Sequence, residues 1–216
     1  MTDYKEVFKN IGLKYKNKGE QYEKETNYEL SKYYLSLSIP YFCESAVLAK
    51  IYGNIKESNH CIKLALDLKD KININPNNHS LSVSSYAEAI DLAFKNEYEA
   101  CLEKLLLSKN YLNNSEDEEY DPLYHSWIFC ELGYTYKNIN KYKESVENYL
   151  FGFTLLKSIE IKNSHYKITR KYLREAILSE PDNIYKDIMN DLNEIALSSK
   201  NIGNYKLSSI YYWVVS

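Results

Sequence analysis

The chain has 216 residues and a net charge of −3, and only six of its residues are glycine and four are proline. Hydrophobic residues make up 44% of the chain, and the aromatic share reaches 14% because there are 23 tyrosines. This composition excludes a disordered or low-complexity chain, and the scarcity of turn-forming residues favours helices over many short strands. The length predicts one domain, residues 1–216, that buries enough apolar surface to fold without disulfides.

Charge, hydropathy and cysteine patterns exclude several further classes. The only arginines among 27 basic residues are Arg170 and Arg174, so the chain lacks the clustered guanidinium groups that favour nucleic acids. No apolar run approaches the roughly 20 residues of a membrane span, so we expect a cytoplasmic protein with no membrane partner. The cysteines lie far apart, which predicts buried free thiols and no zinc site: Cys43, Cys61, Cys101 and Cys130.

Apolar and small residues recur from the N-terminus onward at helical spacings, in units that each fit two antiparallel helices. The first unit, 5–38, has Phe8, Ile11, Gly12, Tyr15, Gly19 and Tyr28 at these positions. The second unit, 39–72, follows directly with Phe42, Ala46, Ala49, Gly53, Ser58, Ile62, Ala65 and Leu68. After a loop at 75–78, the third unit, 81–114, has Ala89, Leu92, Tyr98, Cys101 and Leu105.

The fourth unit, 126–159, has the clearest pattern. A loop with an acidic run at 116–119 precedes it, and Asp121 and Pro122 read as an N-cap and a first helical residue. Large residues at spacings of three and four lie on both sides of a break at Asn140, while small residues let the two helices approach closely. We predict a continuous core that contains Leu132, Gly133, Tyr136, Ser145, Tyr149 and Gly152.

The C-terminal part continues the pattern less regularly. Residues 160–188 read as a degenerate helix pair that ends near a loop at 180–183. The last unit, 189–216, has Leu192, Ala196, Gly203, Tyr205, Ser208 and Tyr212 at the recurring positions. Its final segment, 209–216, is an apolar helix, which predicts burial by a partner or by a second copy in an isologous homodimer. The alternative is a helix end whose Trp213 faces solvent.

The fourth unit resembles the tetratricopeptide repeat, a helix pair of roughly 34 residues. In this register Gly19 and Gly53 stand at the turn glycine of the repeat, and Asn140 replaces it. The resemblance implies an all-α, right-handed superhelical solenoid of tetratricopeptide-like helix hairpins, with a concave groove lined by the first helix of each unit. Residues 126–216 also resemble the C-terminal half of bacterial Rap-like quorum-sensing receptors, which implies a signalling-peptide ligand held by Asn side chains. No helix-turn-helix motif precedes residue 5, so direct DNA binding is not expected.

Polar and aromatic residues at groove-facing positions form the candidate peptide-binding site. An Asn amide offers a donor and an acceptor to a peptide backbone, Lys engages a carboxylate, and Trp and Tyr bury an apolar side chain. The site consists of Asn17, Trp127, Tyr134, Lys137, Asn138, Asn190, Asn193, Lys200 and Asn201. An alternative explains the recurring Lys-Asn pairs as helix C-caps favoured by the macrodipole, without any ligand.

The sequence contains none of the common catalytic motifs. It has no glycine-rich phosphate loop, no nucleophile elbow and no zinc-binding His pair on a helix. The four histidines are isolated: His60, His79, His125 and His165. The sequence therefore predicts a non-enzymatic binding protein without a cofactor or metal, which holds a peptide or an extended protein segment. The resemblance to the quorum-sensing receptors further implies a signalling-peptide receptor that regulates a protein partner. The alternative is a constitutive interaction scaffold, such as an adaptor or an immunity-type inhibitor.

Overall fold

The computed structural model describes residues 4–115 and 121–158, together with 190, 193, 194 and 197. Within these ranges the secondary structure is helical throughout, which confirms the all-α class, and no helix there is long and apolar enough to cross a membrane. The described helices are α1 (Tyr4–Lys24), α2 (Tyr28–Ile51), α3 (Ile55–Ile72), α4 (Asn78–Phe94), α5 (Tyr98–Asn113), α6 (Pro122–Asn138) and α7 (Tyr142–Ser158).

The chain divides into two compact units, Met1–Ile128 and Phe129–Ser216. In the first unit α2 packs against α1, α3 and α4, and α4 packs against α3 and α5. The long helix α2 is therefore the centre of this unit, and its core residues Ile39, Phe42 and Ala46 are fully buried. In the second unit α7 packs on the C-terminal part of α6, where the Ser145 hydroxyl donates to the Gly133 carbonyl at 2.7 Å.

Four of the turns between helices share one backbone geometry. Each contains a residue in the left-handed region, and the N–H of the next residue donates to the carbonyl five residues earlier, as in a Schellman motif. The left-handed residues are Thr26, Gly53, Asn96 and Asn140, with φ of 59°, 76°, 62° and 59°. The corresponding hydrogen bonds are Asn27 to Tyr22 at 2.9 Å, Asn54 to Ala49 at 2.8 Å, Glu97 to Leu92 at 3.0 Å and Lys141 to Tyr136 at 2.9 Å. The predicted breaks at Gly53 and Asn140 are confirmed.

Small buried residues stand at fixed distances from these turns. The residues seven positions before the left-handed residue are Gly19, Ala46, Ala89 and Gly133. The residues five positions after it are Ser31, Ser58, Cys101 and Ser145. All eight are buried, and the Ser58 hydroxyl repeats the contact of Ser145 by donating to the Ala46 carbonyl at 2.9 Å. Each pair of helices therefore crosses at a site where only small side chains fit.

The first predicted unit, 5–38, has a different register in the structure. Gly19 lies inside α1 and not at a turn, and α2 runs without a break across the predicted boundary at 38/39. The reason is steric, since a Cβ atom on Gly19 would lie 2.7 Å from the Cδ2 atom of Leu35. Glycine is needed here for close packing of α1 on α2, and the turn forms seven residues later at Thr26.

The core predicted for α6 and α7 is present apart from one residue. Leu132, Gly133, Ser145, Tyr149 and Gly152 are buried, whereas Tyr136 is half-buried. All four cysteines are free and buried, as predicted. The predicted cap is also confirmed, because α6 begins at Pro122 and the Asp121 carboxylate accepts a hydrogen bond from the Leu123 N–H at 2.8 Å.

Candidate functional site

Four tyrosines form an alternating row along the junction of α1 and α2, which we call the tyrosine ladder. Tyr22 and Tyr15 come from α1, and Tyr34 and Tyr41 come from α2. The Tyr22 and Tyr34 rings are stacked with centroids 5.5 Å apart, and the Tyr15 ring is also stacked against Tyr34, with centroids 6.4 Å apart. Tyr41 continues the row, with its ring centroid 5.8 Å from that of Tyr15. The rings thus follow one another across two antiparallel helices.

The sequence builds the ladder through spacing and through two glycines. Tyr15 and Tyr22 are seven residues apart, as are Tyr34 and Tyr41, so each pair lies on one face of its helix, two turns apart. Gly12 and Gly19 line the neighbouring face of α1, and a Cβ atom on Gly12 would lie 3.0 Å from Phe42. The absence of side chains at these two positions brings α1 close enough to α2 for the tyrosines to interdigitate.

The ladder is open to solvent along part of its length. All four rings are half-buried, and the neighbouring Tyr33, which packs edge-on against Tyr34 at 5.2 Å, is 39% exposed. Carbon atoms of packed rings approach to about 3.5–4 Å, so near-parallel rings with centroids 5.5 and 6.4 Å apart are displaced sideways. Neighbouring rings therefore overlap only in part, and together with the partial exposure of all four tyrosines this gives a stepped, partly open aromatic surface.

Trp127 packs against the Tyr41 end of the ladder. Its ring packs edge-on against Tyr41 and against Phe8, with centroids 5.3 Å apart in both pairs. Burial, with a contribution from the Asp121 carboxylate, raises the pKa of Tyr41. Trp127 is fully buried. Although the sequence predicts it at a groove-facing position, its indole belongs to the core and is not available to a ligand in this arrangement.

A lysine lies over the exposed part of the ladder. The Lys18 ammonium is 4.1 Å from the centroid of the Tyr34 ring and donates a hydrogen bond to the Tyr34 hydroxyl at 2.7 Å. This hydrogen bond raises the pKa of Lys18. Lys14, one turn earlier on α1, is also exposed. The outer edge of the ladder is therefore positively charged.

Among the predicted site residues on α6, Asn138 makes the helix-end contact that the capping alternative predicts. Tyr134 and Lys137 are half-buried and Asn138 is exposed. The Asn138 side-chain amide donates to the Tyr134 carbonyl at 2.8 Å, and Asn114 makes the same contact with the Asn110 carbonyl at the end of α5 at 2.7 Å. One N–H donor of the Asn138 amide is thus used at its own helix terminus.

The remaining predicted residues lie apart from the ladder or outside the described part of the chain. Asn17 is exposed, but it lies about 200° around α1 from Tyr15 and so faces away from the ladder. Asn190 and Asn193 are exposed and helical. Lys200 and Asn201 lie outside the described residues, as do Trp213 and the predicted dimer contact. The sequence signals of the ladder, which the site prediction missed, are the seven-residue spacing of its tyrosines and the adjacent lysines.

Buried polar groups elsewhere form a hydroxyl cluster among α4, α5 and α6. The Tyr124 hydroxyl lies 3.0 Å from the hydroxyls of both Ser82 and Ser108. His79 is also buried, and neither of its ring nitrogens has a hydrogen-bond partner among the described residues. Burial lowers the pKa of His79 to about 4. Within the described ranges no three His, Cys, Asp or Glu side chains are grouped as metal ligands.

The comparisons with known proteins give no family for this chain. No profile of a known protein family matches it, and no similar sequence is found among curated proteins.

Proposed function

We propose that this protein is a non-enzymatic binding protein that holds a peptide or an extended protein segment against its helix pairs. The observation that carries the proposal is the tyrosine ladder, whose half-buried rings leave a stepped apolar surface along α1 and α2. Tyrosine suits such a surface, because it offers a large flat contact area and a hydroxyl while only two side-chain torsions are fixed on binding.

The proposal includes a tetratricopeptide-like organisation of the helix pairs. Its support is the recurrence of one turn geometry at Thr26, Gly53, Asn96 and Asn140, with small buried residues at fixed distances on both sides of each turn. A superhelical solenoid with a peptide in its groove would follow from that organisation. A signalling-peptide receptor that regulates a protein partner is the more specific form of the proposal, and its support is the resemblance of residues 126–216.

Cross-helix ion pairs favour the second candidate, a constitutive interaction scaffold. The Glu57 carboxylate of α3 accepts from Lys5 at 3.1 Å and from Lys9 at 3.0 Å, both on α1. Glu88 of α4 likewise pairs with Lys69 of α3 at 3.0 Å and with Lys104 of α5 at 2.6 Å. Each carboxylate joins separate helices through two lysines, and such contacts hold these helices in place without a ligand.

The test is a thermal-shift screen of the full chain against pools of random peptides. A peptide at a hundredfold excess over its dissociation constant stabilises the folded state by about 2.7 kcal/mol, which gives a clear rise in the melting temperature. The shift is expected to be lost in Tyr34→Ser and kept in the control Tyr28→Ser, because Tyr28 is 68% exposed and lies outside the ladder. Equal shifts in both variants would contradict the assignment of the ladder.

A further inference from the structure

We propose that the segment held by the tyrosine ladder is acidic, extended and rich in proline. This inference rests on the proposed function and specifies the chemistry of the partner. Its prolines would pack on the stepped faces of the tyrosines, and its carboxylates would pair with Lys14 and Lys18 at the outer edge of the ladder.

Lys14 and Lys18 lie in surroundings without nearby acidic side chains among the described residues. Neither lysine has an Asp or Glu three or four positions away on either side, and no described acidic side chain forms an ion pair with them. Lys16, on another face of the same helix, pairs with Glu20 at 2.7 Å. Two like charges at i and i+4 disfavour a helix, so this pair weakens α1 unless an external anion offsets the repulsion.

The position of Lys18 connects this charge to the aromatic surface. It lies three residues after Tyr15 and four residues before Tyr22, so it stands beside both rings on the helix surface. Its ammonium already contacts the Tyr34 ring at 4.1 Å. An anion bound by Lys18 is therefore held next to the ladder, and a segment that crosses the rings brings its carboxylates to the two lysines.

The spacing of the rings favours a partner with proline at regular intervals. Successive tyrosines on the same helix are seven residues apart, which is a distance of about 10.5 Å along the helix axis. A polyproline II segment repeats every three residues, or about 9.3 Å, so prolines at every third position come within about 1.2 Å of the separation of two tyrosines on one helix, and the ring of a tyrosine from the other helix lies between them. Aromatic-lined surfaces recognise such segments because the extended conformation is already formed in the free peptide.

The probe is a fluorescein-labelled peptide of twelve residues with proline at every third position and aspartate at the positions that follow the prolines. Two matched peptides replace either all prolines by alanine or all aspartates by lysine. Fluorescence anisotropy with the full chain is expected to give binding of the first peptide and at least tenfold weaker binding of both others. Equal affinity for the alanine peptide would overturn the role of proline, and equal affinity for the lysine peptide would overturn the role of charge.

Two charge-reversal variants locate the contact. Lys14→Glu/Lys18→Glu is expected to weaken binding of the acidic proline peptide by about tenfold. The control, Lys56→Glu/Lys63→Glu, makes the same change in net charge at exposed lysines of α3 and is expected to alter the affinity less than twofold. Equal weakening by both variants would place the contact outside the ladder and overturn the inference.

The same experiments separate this inference from the proposed function. If a random peptide shifts the melting temperature through Tyr34 while the acidic proline peptide does not bind, the partner chemistry is wrong and the binding function stands. If neither the random pools nor the proline peptide binds, both the proposed function and this inference fail.

Discussion

The ladder and the hydroxyl cluster use the same residue type in opposite surroundings. Ladder tyrosines are half-buried and contact one another ring to ring, and the hydroxyl of Tyr34 accepts from an exposed lysine. Tyr86 and Tyr124 in the core are fully buried, and their hydroxyls bond to Glu44 and to two serines. A high tyrosine content is therefore compatible with two roles, which are distinguished by the partner of the hydroxyl and by how much of the ring remains uncovered.

The largest expected difference between the two regions concerns ring removal. Tyr124→Ala is expected to lower the free energy of unfolding by about 3–5 kcal/mol, because a fully enclosed ring leaves a cavity. Tyr22→Ala removes a half-buried ring next to solvent, so roughly 1 kcal/mol is expected. Urea denaturation followed by circular dichroism measures both values. Similar losses in the two variants would show that the ladder is part of the structural core and not a free surface.

Acid is expected to destabilise the core through His79. Burial lowers the pKa of His79 to about 4 in the folded state, whereas the unfolded side chain titrates near 6.5. The unfolded chain therefore binds the proton first as the pH falls below about 6.5, and the free energy of unfolding drops until about pH 4. The total loss is about 3 kcal/mol, and none of it is expected above pH 7.

Urea unfolding of the wild type and of His79→Gln between pH 7.5 and pH 4 measures this loss. The variant is expected to show a shallower dependence on pH in this range. His60→Gln serves as the control, since His60 is exposed. The expectation is wrong if the wild type and His79→Gln lose stability in parallel.

A smaller effect is expected when only the core hydroxyl is removed. Tyr124→Phe keeps the ring, and the Ser82 hydroxyl still donates to the Ser108 carbonyl at 2.8 Å. The variant is therefore expected to lose about 1 kcal/mol in the free energy of unfolding, the usual value of one hydrogen bond. Tyr52→Phe is the control, because Tyr52 is 53% exposed. A loss as large as that of Tyr124→Ala would mean that the hydroxyl, and not the ring, holds this part of the core.

Local sequence signals predicted much of the helical framework. The break at Asn140, the turn at Gly53 and the cap at Asp121 follow from residue types that favour one backbone conformation. The first unit was predicted in the wrong register because its glycines have a packing role inside α1. Its turn instead uses Thr26 with φ of 59°, a conformation that is rare for a β-branched residue and gives no sequence signal.

The candidate site could be predicted only in part, since it depends on contacts between residues far apart in the chain. Trp127 has the spacing of a groove residue, but Phe8 and Tyr41 cover its ring. Its spacing within α1 predicts Tyr15 as a packing residue. Its partial exposure depends on how far the neighbouring helix α2 covers its ring, and the periodicity of α1 alone does not reveal this. Periodicity identifies which residues share a face, whereas the neighbouring helix decides how much of that face stays open.

The smallest effect is expected for the ladder hydroxyl that contacts Lys18. Tyr34→Phe removes the hydrogen bond at 2.7 Å, but Lys18 is exposed and water replaces the lost partner. The ammonium also keeps its position over the ring, which the substitution leaves intact. We therefore expect no resolvable change in the urea midpoint, in contrast to Tyr124→Phe. A loss equal to that of Tyr124→Phe would mean that the Lys18 contact is structural, and the lysine would then not be available to an anionic partner.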